Sequence, residues 1–100
     1  HDAGLPQGFR VYPNYPNPVQ TTTYLVFDLP WPAQVQVDIL DVTGRRVAVY
    51  PAASLSAGWG HQLELSDLDV PSGAYLYRIQ AMSLEDALTS VYIGHLMRVM

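Results

Sequence analysis

The chain has no cysteine and no lysine among its 100 residues. The first absence removes disulfides, thiolate metal sites and cysteine nucleophiles together. The second leaves Arg10, Arg45, Arg46, Arg78 and Arg98 as the arginine and lysine complement. Charged residues make up 14% and the net charge is −4, so the basic footprint that nucleic acid requires is missing. No apolar run approaches the ~20 residues of a membrane-spanning helix. No stretch sustains a helical period either, which excludes an α-helical core.

What is present is core material. Hydrophobic residues account for 49% of the chain, enough for one core in a domain of this length. Weak charge with ample apolar content also argues against disorder. Residues 1–8, beginning His1-Asp2-Ala3-Gly4, carry glycine and proline without periodicity and read as a linker. The chain therefore reads as one module of a longer protein, with residues 9–100 forming a single domain.

Tyr12-Pro13-Asn14-Tyr15-Pro16-Asn17-Pro18 cannot be helical, because each proline lacks an amide donor and clashes with a preceding turn. It reads as an extended arm lying along a sheet edge, after a short edge strand over 9–12. Residues 23–29 place Leu25, Phe27 and Leu29 on one face. Residues 34–40 alternate cleanly, with Val35, Val37 and Ile39 inward and Gln36 and Asp38 outward. Asp41-Val42-Thr43-Gly44 is a hairpin turn with Gly44 at positive φ, and Asp41 is placed to accept amides across it. Arg45 pairs with Asp41 or Asp38. Residues 46–50 return with Val47 and Val49 inward, Pro51 stops the strand, and 51–58 is a loop ending at Gly58.

Residues 59–65 put Trp59, His61, Leu63 and Leu65 on one face. Ser72-Gly73 makes a tight turn into a strand over 74–81, with Tyr75, Tyr77 and Ile79 on one face. Tyr75 or Tyr77 is placed to bond upstream backbone as in a tyrosine corner. Residues 82–87 form a hairpin loop or a short helical turn. Residues 88–100 form a last strand, or two with a bulge at Gly94. The pattern is all-β: an immunoglobulin- or fibronectin-III-like sandwich of two antiparallel sheets with about seven strands.

Chemistry-bearing constellations are sparse. His1, His61 and His95 are the only histidines. Ser66 and Asp67 follow His61, but no nucleophile elbow accompanies them. Asp67/Asp69 and Glu85/Asp86 lack the spacing of a calcium loop. The residues indicate no catalytic group, no metal site and no cofactor. Trp31, Trp59, Tyr12 and Tyr15 could form an aromatic platform for a polysaccharide, although large aromatics are also core material. A passive spacer attached to a secreted hydrolase is the other non-catalytic alternative.

Six short motifs in order carry a resemblance over roughly residues 10–100. They are Tyr15-Pro16-Asn17-Pro18; Thr21-Thr22-Thr23 with Leu25, Phe27, Leu29 and Pro30; Val35, Val37 and Ile39 leading to Asp41, Gly44, Arg45 and Val47; Ala57-Gly58; Leu68; and Pro71-Ser72-Gly73 with Tyr75, Tyr77 and Ile79. In this order they resemble the type A C-terminal sorting domain of the type IX (Por) secretion system of Bacteroidetes. The immunoglobulin-like domain of the flagellar hook-capping protein is a structural cousin. The resemblance implies a non-catalytic β-sandwich attached to an upstream catalytic or adhesive domain. It implies recognition by the type IX translocon and a sortase-like peptidase, and transit of the Gram-negative periplasm to the cell surface or medium. Members typically end in a lysine-containing strand. Here the last strand offers only His95 and Arg98 as cations, so Gly94, His95 and Arg98 are the expected translocon-recognition residues.

Overall fold

The computed structural model describes residues 4–99. Of the expected linker, residues 1–3 lie outside the described residues, as does Met100, and Pro6 is buried rather than solvated. Seven strands follow in order: β1 (Arg10–Tyr15), β2 (Thr23–Leu29), β3 (Ala33–Leu40), β4 (Arg46–Leu55), β5 (Gly58–Leu65), β6 (Gly73–Ser83) and β7 (Thr89–Arg98). They form one three-stranded sheet, β1-β2-β5, and one four-stranded sheet, β4-β3-β6-β7, all pairings antiparallel. The protein is thus the two-sheet all-β sandwich that the alternation predicts.

Alternation decides which side chains meet between the sheets. Leu25, Phe27 and Leu29 of β2 face Val35, Val37 and Ile39 of β3 and Tyr75, Tyr77 and Ile79 of β6. Val19, Leu68 and Val70, from the connections, close the ends of this core. Each fully buried Leu, Ile or Phe contributes about 1.5–3 kcal/mol of apolar transfer, set against the entropy of ordering the chain.

The β3–β4 hairpin closes as expected. Gly44 has φ 89°, which favours glycine. The Asp41 carboxylate accepts from the Thr43 amide at 2.9 Å, the Thr43 hydroxyl at 2.6 Å and the Arg45 amide at 3.0 Å. Arg45 pairs with Asp41 at 3.3 Å. The Thr43 hydroxyl, then the Arg45 amide, favour the ionised form and hold the Asp41 carboxyl below its ordinary 3.8. A folded pKa below the unfolded one means that the contribution is present above the unfolded value and fades as pH falls through the folded value. Asp41→Asn is therefore expected to flatten the acid limb of melting temperature against pH, below about pH 4. An unchanged slope in circular dichroism melts would refute this.

Four local expectations need correction. β1 continues through Pro13 to Tyr15, which an edge strand permits because no neighbour needs that missing amide. Pro51 does not end β4: it lies in a register shift of an edge strand, and residues 51–55 remain strand. A second shift sits between the Ile39–Ala48 and Leu40–Arg46 pairs, so Val47, Ala48 and Tyr50 pack against the core while Val49 is exposed. Trp59 also leaves the inward face. The β2–β5 register shifts between Phe27 and Leu29, and Trp59 ends 58% exposed. Met82 and Ser83 still belong to β6, residues 84–88 form the hairpin loop, and β7 runs through Gly94 without a bulge.

Candidate functional site

β7 is an edge strand of the four-stranded sheet, paired along its length with β6. Its even-numbered residues face the core. Gly94 and Leu96 are buried, and Tyr92 packs its ring 6.1 Å from that of Tyr77. Gly94 lies opposite Tyr77, whose ring crosses the space where a Cβ would stand. A methyl there would collide with Cζ, Oη and Cε2 of that ring. Burial, then the neighbouring Tyr92, pushes the Tyr77 phenol up to about 12. The ring therefore stays neutral and fixed under β7.

The proline-rich segment holds the far end of this strand. It is not an extended arm along a sheet edge from end to end. Residues 16–22 leave β1 and turn, and Asn17 and Val19 then run beside the end of β7 from His95 to Val99. The Asn17 side chain serves as a short piece of strand: Met97 N–H donates to Asn17 Oδ1 at 3.0 Å, and Asn17 Nδ2 donates to the His95 carbonyl at 3.4 Å. Val19 continues it, donating to Met97 O at 2.7 Å and accepting from Val99 N at 2.8 Å. Inside the turn, buried Asn14 donates to the Thr23 hydroxyl at 3.1 Å, and that hydroxyl donates to the Pro16 carbonyl at 2.9 Å. Tyr15, by contrast, is exposed. Pro16, Pro18, Gln20, Thr21, Thr22 and Val99 line an open groove of about 400 Å³ beside this clasp.

The three expected recognition residues separate physically. Gly94 is buried against Tyr77. Arg98 is half-buried, its guanidinium donating to the Leu68 carbonyl at 3.1 Å and also to the Val99 carbonyl. His95 is exposed on the outer face of the sheet. Ser72 and Gly73 form the turn into β6, and Tyr75 donates to the Pro71 carbonyl at 2.6 Å, the tyrosine-corner contact. Gly58 opens β5 at its register shift.

One cluster was not legible as such in the sequence. Asp38 points to the outer face, as alternation requires, yet its side chain is 0% exposed. Arg78 from β6 covers it, with Nη2 at 2.8 Å and Nε at 3.2 Å from Oδ2. Gln36 donates at 3.1 Å, Gln80 at 3.4 Å, and Arg46 stands at 3.7 Å. The signal was the β3–β6 register, which sets Asp38 opposite Arg78 and which no single strand contains.

Groups suited to catalysis do not converge among the described residues. His61 Nε2 lies 2.7 Å from the Ser56 carbonyl, on the edge strand β5. No cluster of three metal-binding side chains is found among the described residues, and none of their helices is long and apolar enough to cross a membrane. The aromatic set is dispersed. Tyr12 donates to Asp28 at 2.6 Å, under the Arg10 guanidinium, and Trp31 packs against the core. Tyr15 pairs opposite Tyr24 and Trp59 follows Gly58 opposite Leu29, which places them at opposite ends of β2.

A model of the Por secretion tail family, described as the secretion system C-terminal sorting domain, matches residues 10–90. PorU from Porphyromonas gingivalis, solved as a dimeric latent form, superposes with TM-score 0.73 at 22% identity. That match covers 99% of this chain and 10% of PorU, so the chain spans about a tenth of that protein. CopC from Methylosinus trichosporium OB3b superposes with TM-score 0.60 at 18% identity, covering 91% of this chain and 93% of that one. At these identities both likenesses speak for the fold alone. Among curated protein sequences none matches. The family match ends at residue 90, so most of β7 lies beyond it.

Proposed function

The chain belongs to the family of secretion system C-terminal sorting domains, and from that premise we propose that it is a non-catalytic export-sorting and surface-attachment module of a larger secreted protein. The observation that carries the reading is the family match over residues 10–90. The type IX translocon and a sortase-like peptidase are the proposed partners, and the cell surface or medium is the proposed destination.

The geometry supports a division of roles among the residues proposed for recognition. Gly94 and Arg98 are engaged in holding the strand, so their proposed part is to present it. His95 and the groove bounded by Pro16, Pro18 and Val99 are the accessible features of the same end. A sugar-binding role receives no support from aromatic residues set at opposite ends of β2.

The test is a fluorescent reporter carrying residues 1–100, expressed in a Bacteroidetes host with a secretory leader. The reporter is expected outside the cell or at its surface. Retention in the periplasm, while an established sorting domain exports the same reporter, would overturn the reading. Arg98→Glu with normal export and an unchanged melt would remove Arg98 from recognition.

A further inference from the structure

A sheet edge is a row of unpaired N–H and C=O groups, and monomeric β-proteins blunt such edges. Three of the four edges here are blunted. β1 carries Arg10, Pro13 and a register shift. β5 carries a register shift and Gly60 at φ 62°. β4 carries Arg46, Pro51 and two register shifts.

β7 is different. Its odd-numbered residues turn their backbone groups away from β6, as the contacts of His95, Met97 and Val99 to Asn17 and Val19 establish. By the same alternation Thr89, Val91 and Ile93 turn theirs outward, and among the described residues no strand pairs with them there. The stretch Thr89-Ser90-Val91-Tyr92-Ile93 contains no charge, no proline and no glycine. Val91 and Ile93 are 53% and 52% exposed. It combines high β-propensity with an open ladder.

We infer that this half-edge is a homodimer interface, in which β7 of one copy pairs antiparallel with β7 of a second and joins two four-stranded sheets into one. The occupant follows from self-complementarity. The segment is neutral, so two copies meet there without like-charge repulsion despite the net charge of −4. A two-fold axis at Val91 sets Val91 opposite Val91 and Thr89 opposite Ile93, all with outward backbone groups, so each pair exchanges both hydrogen bonds. The Val91 axis alone pairs all three open residues, and the Asn17–Val19 clasp bars displacement towards the C-terminus. Sliding the axis to Ile93 would require the edge at His95 and Met97, which the clasp already occupies. The inference stands apart from the sorting reading, since it rests on the open backbone ladder and the uncharged side chains of this edge.

Sedimentation equilibrium of the 100-residue chain is expected to give a mean mass rising from one chain towards two, with half-association at roughly 10 µM to 1 mM, as suits a small interface. Val91→Pro removes only an outward donor and leaves the β6 ladder intact, so it is expected to raise the half-association concentration about tenfold or more. Val91→Lys serves as a second variant if the proline unfolds the chain. The register has its own readout, because the protein contains no cysteine. Val91→Cys is expected to cross-link under oxidised glutathione, since paired Cα atoms in such a ladder lie about 5.5 Å apart. Ile93→Cys is expected not to, since its symmetry mate is about four residues away along the strand. A mass of one chain at every concentration up to about 1 mM overturns the inference. So does dimerisation that survives folded Val91→Pro or Val91→Lys, or cross-linking of Ile93→Cys as readily as Val91→Cys.

Discussion

Gly94→Ala is expected to lower stability by about 2–3 kcal/mol, a fall of roughly 10–20 °C in melting temperature for a domain of this size. The added methyl would fall within the ring of Tyr77. That ring is 2% exposed, wedged between β6 and the opposite sheet, and has no open side to move into. Relief must come from displacing β7 or from an off-rotamer tyrosine, and both are costly. The interpretation has an internal control. In a Tyr77→Leu background the same alanine should cost far less, because the colliding atoms are gone, and a double-mutant cycle measures the difference. A melting temperature for Gly94→Ala within about 2 °C of wild type would refute the steric account. The result also bears on function, since loss of export in a Gly94 variant reports the presentation of β7 before it reports recognition.

Arg78→Met is expected to cost about 3 kcal/mol, because it leaves the Asp38 carboxylate without its main partner. Asp38 has no exposure of its own, and the remaining cation, Arg46, stands at 3.7 Å and is itself more than half exposed. The lower end of the range for broken buried pairs applies, since Arg78 is 34% exposed and lets some water in when removed. Replacing both partners with apolar side chains, Asp38→Leu with Arg78→Met, should recover more than half of the loss. The stranded charge, rather than the missing contact, dominates the single variant. Urea unfolding of the two singles and the double checks this, and an additive double variant would show that the groups do not interact. The cluster lies on the outer face of the same sheet as β7, one strand from the open edge. It pins β3 to β6, the pair on which β7 is built.

Much of the candidate site was readable as residues but not as roles. The Pro-Asn-Pro motif was visible as helix-breaking. What Asn17 mimics is settled by a partner 80 residues away, the Met97 amide. Arg98 reads in the sequence as a cation at the end of the chain, yet it is occupied by the Leu68 carbonyl of a distant loop. Gly94 suggested a bulge because glycine in a strand often marks one, and the alternative meaning, close approach of another group, prevailed. Trp59 and Val49 were misplaced for one shared reason. Strict alternation assumes unbroken register, and each lies beside a shift that moves side chains to the other face.

Composition and period-two patterning determined that this chain would fold as two layered sheets around an aliphatic and tyrosine core. Burial of alternate residues is a local property, written into each strand separately. Which strands would lie at the margins, which backbone groups would stay unpaired, and which carboxylate would be sealed beneath an arginine were decided only by tertiary pairing. Hydrogen bonds between strands join residues far apart in the chain, and their register depends on every turn and bulge between them. The last strand shows this most plainly: its residues are apolar and strand-forming in any context, but only the folded sheet leaves one half of it clasped and the other half open.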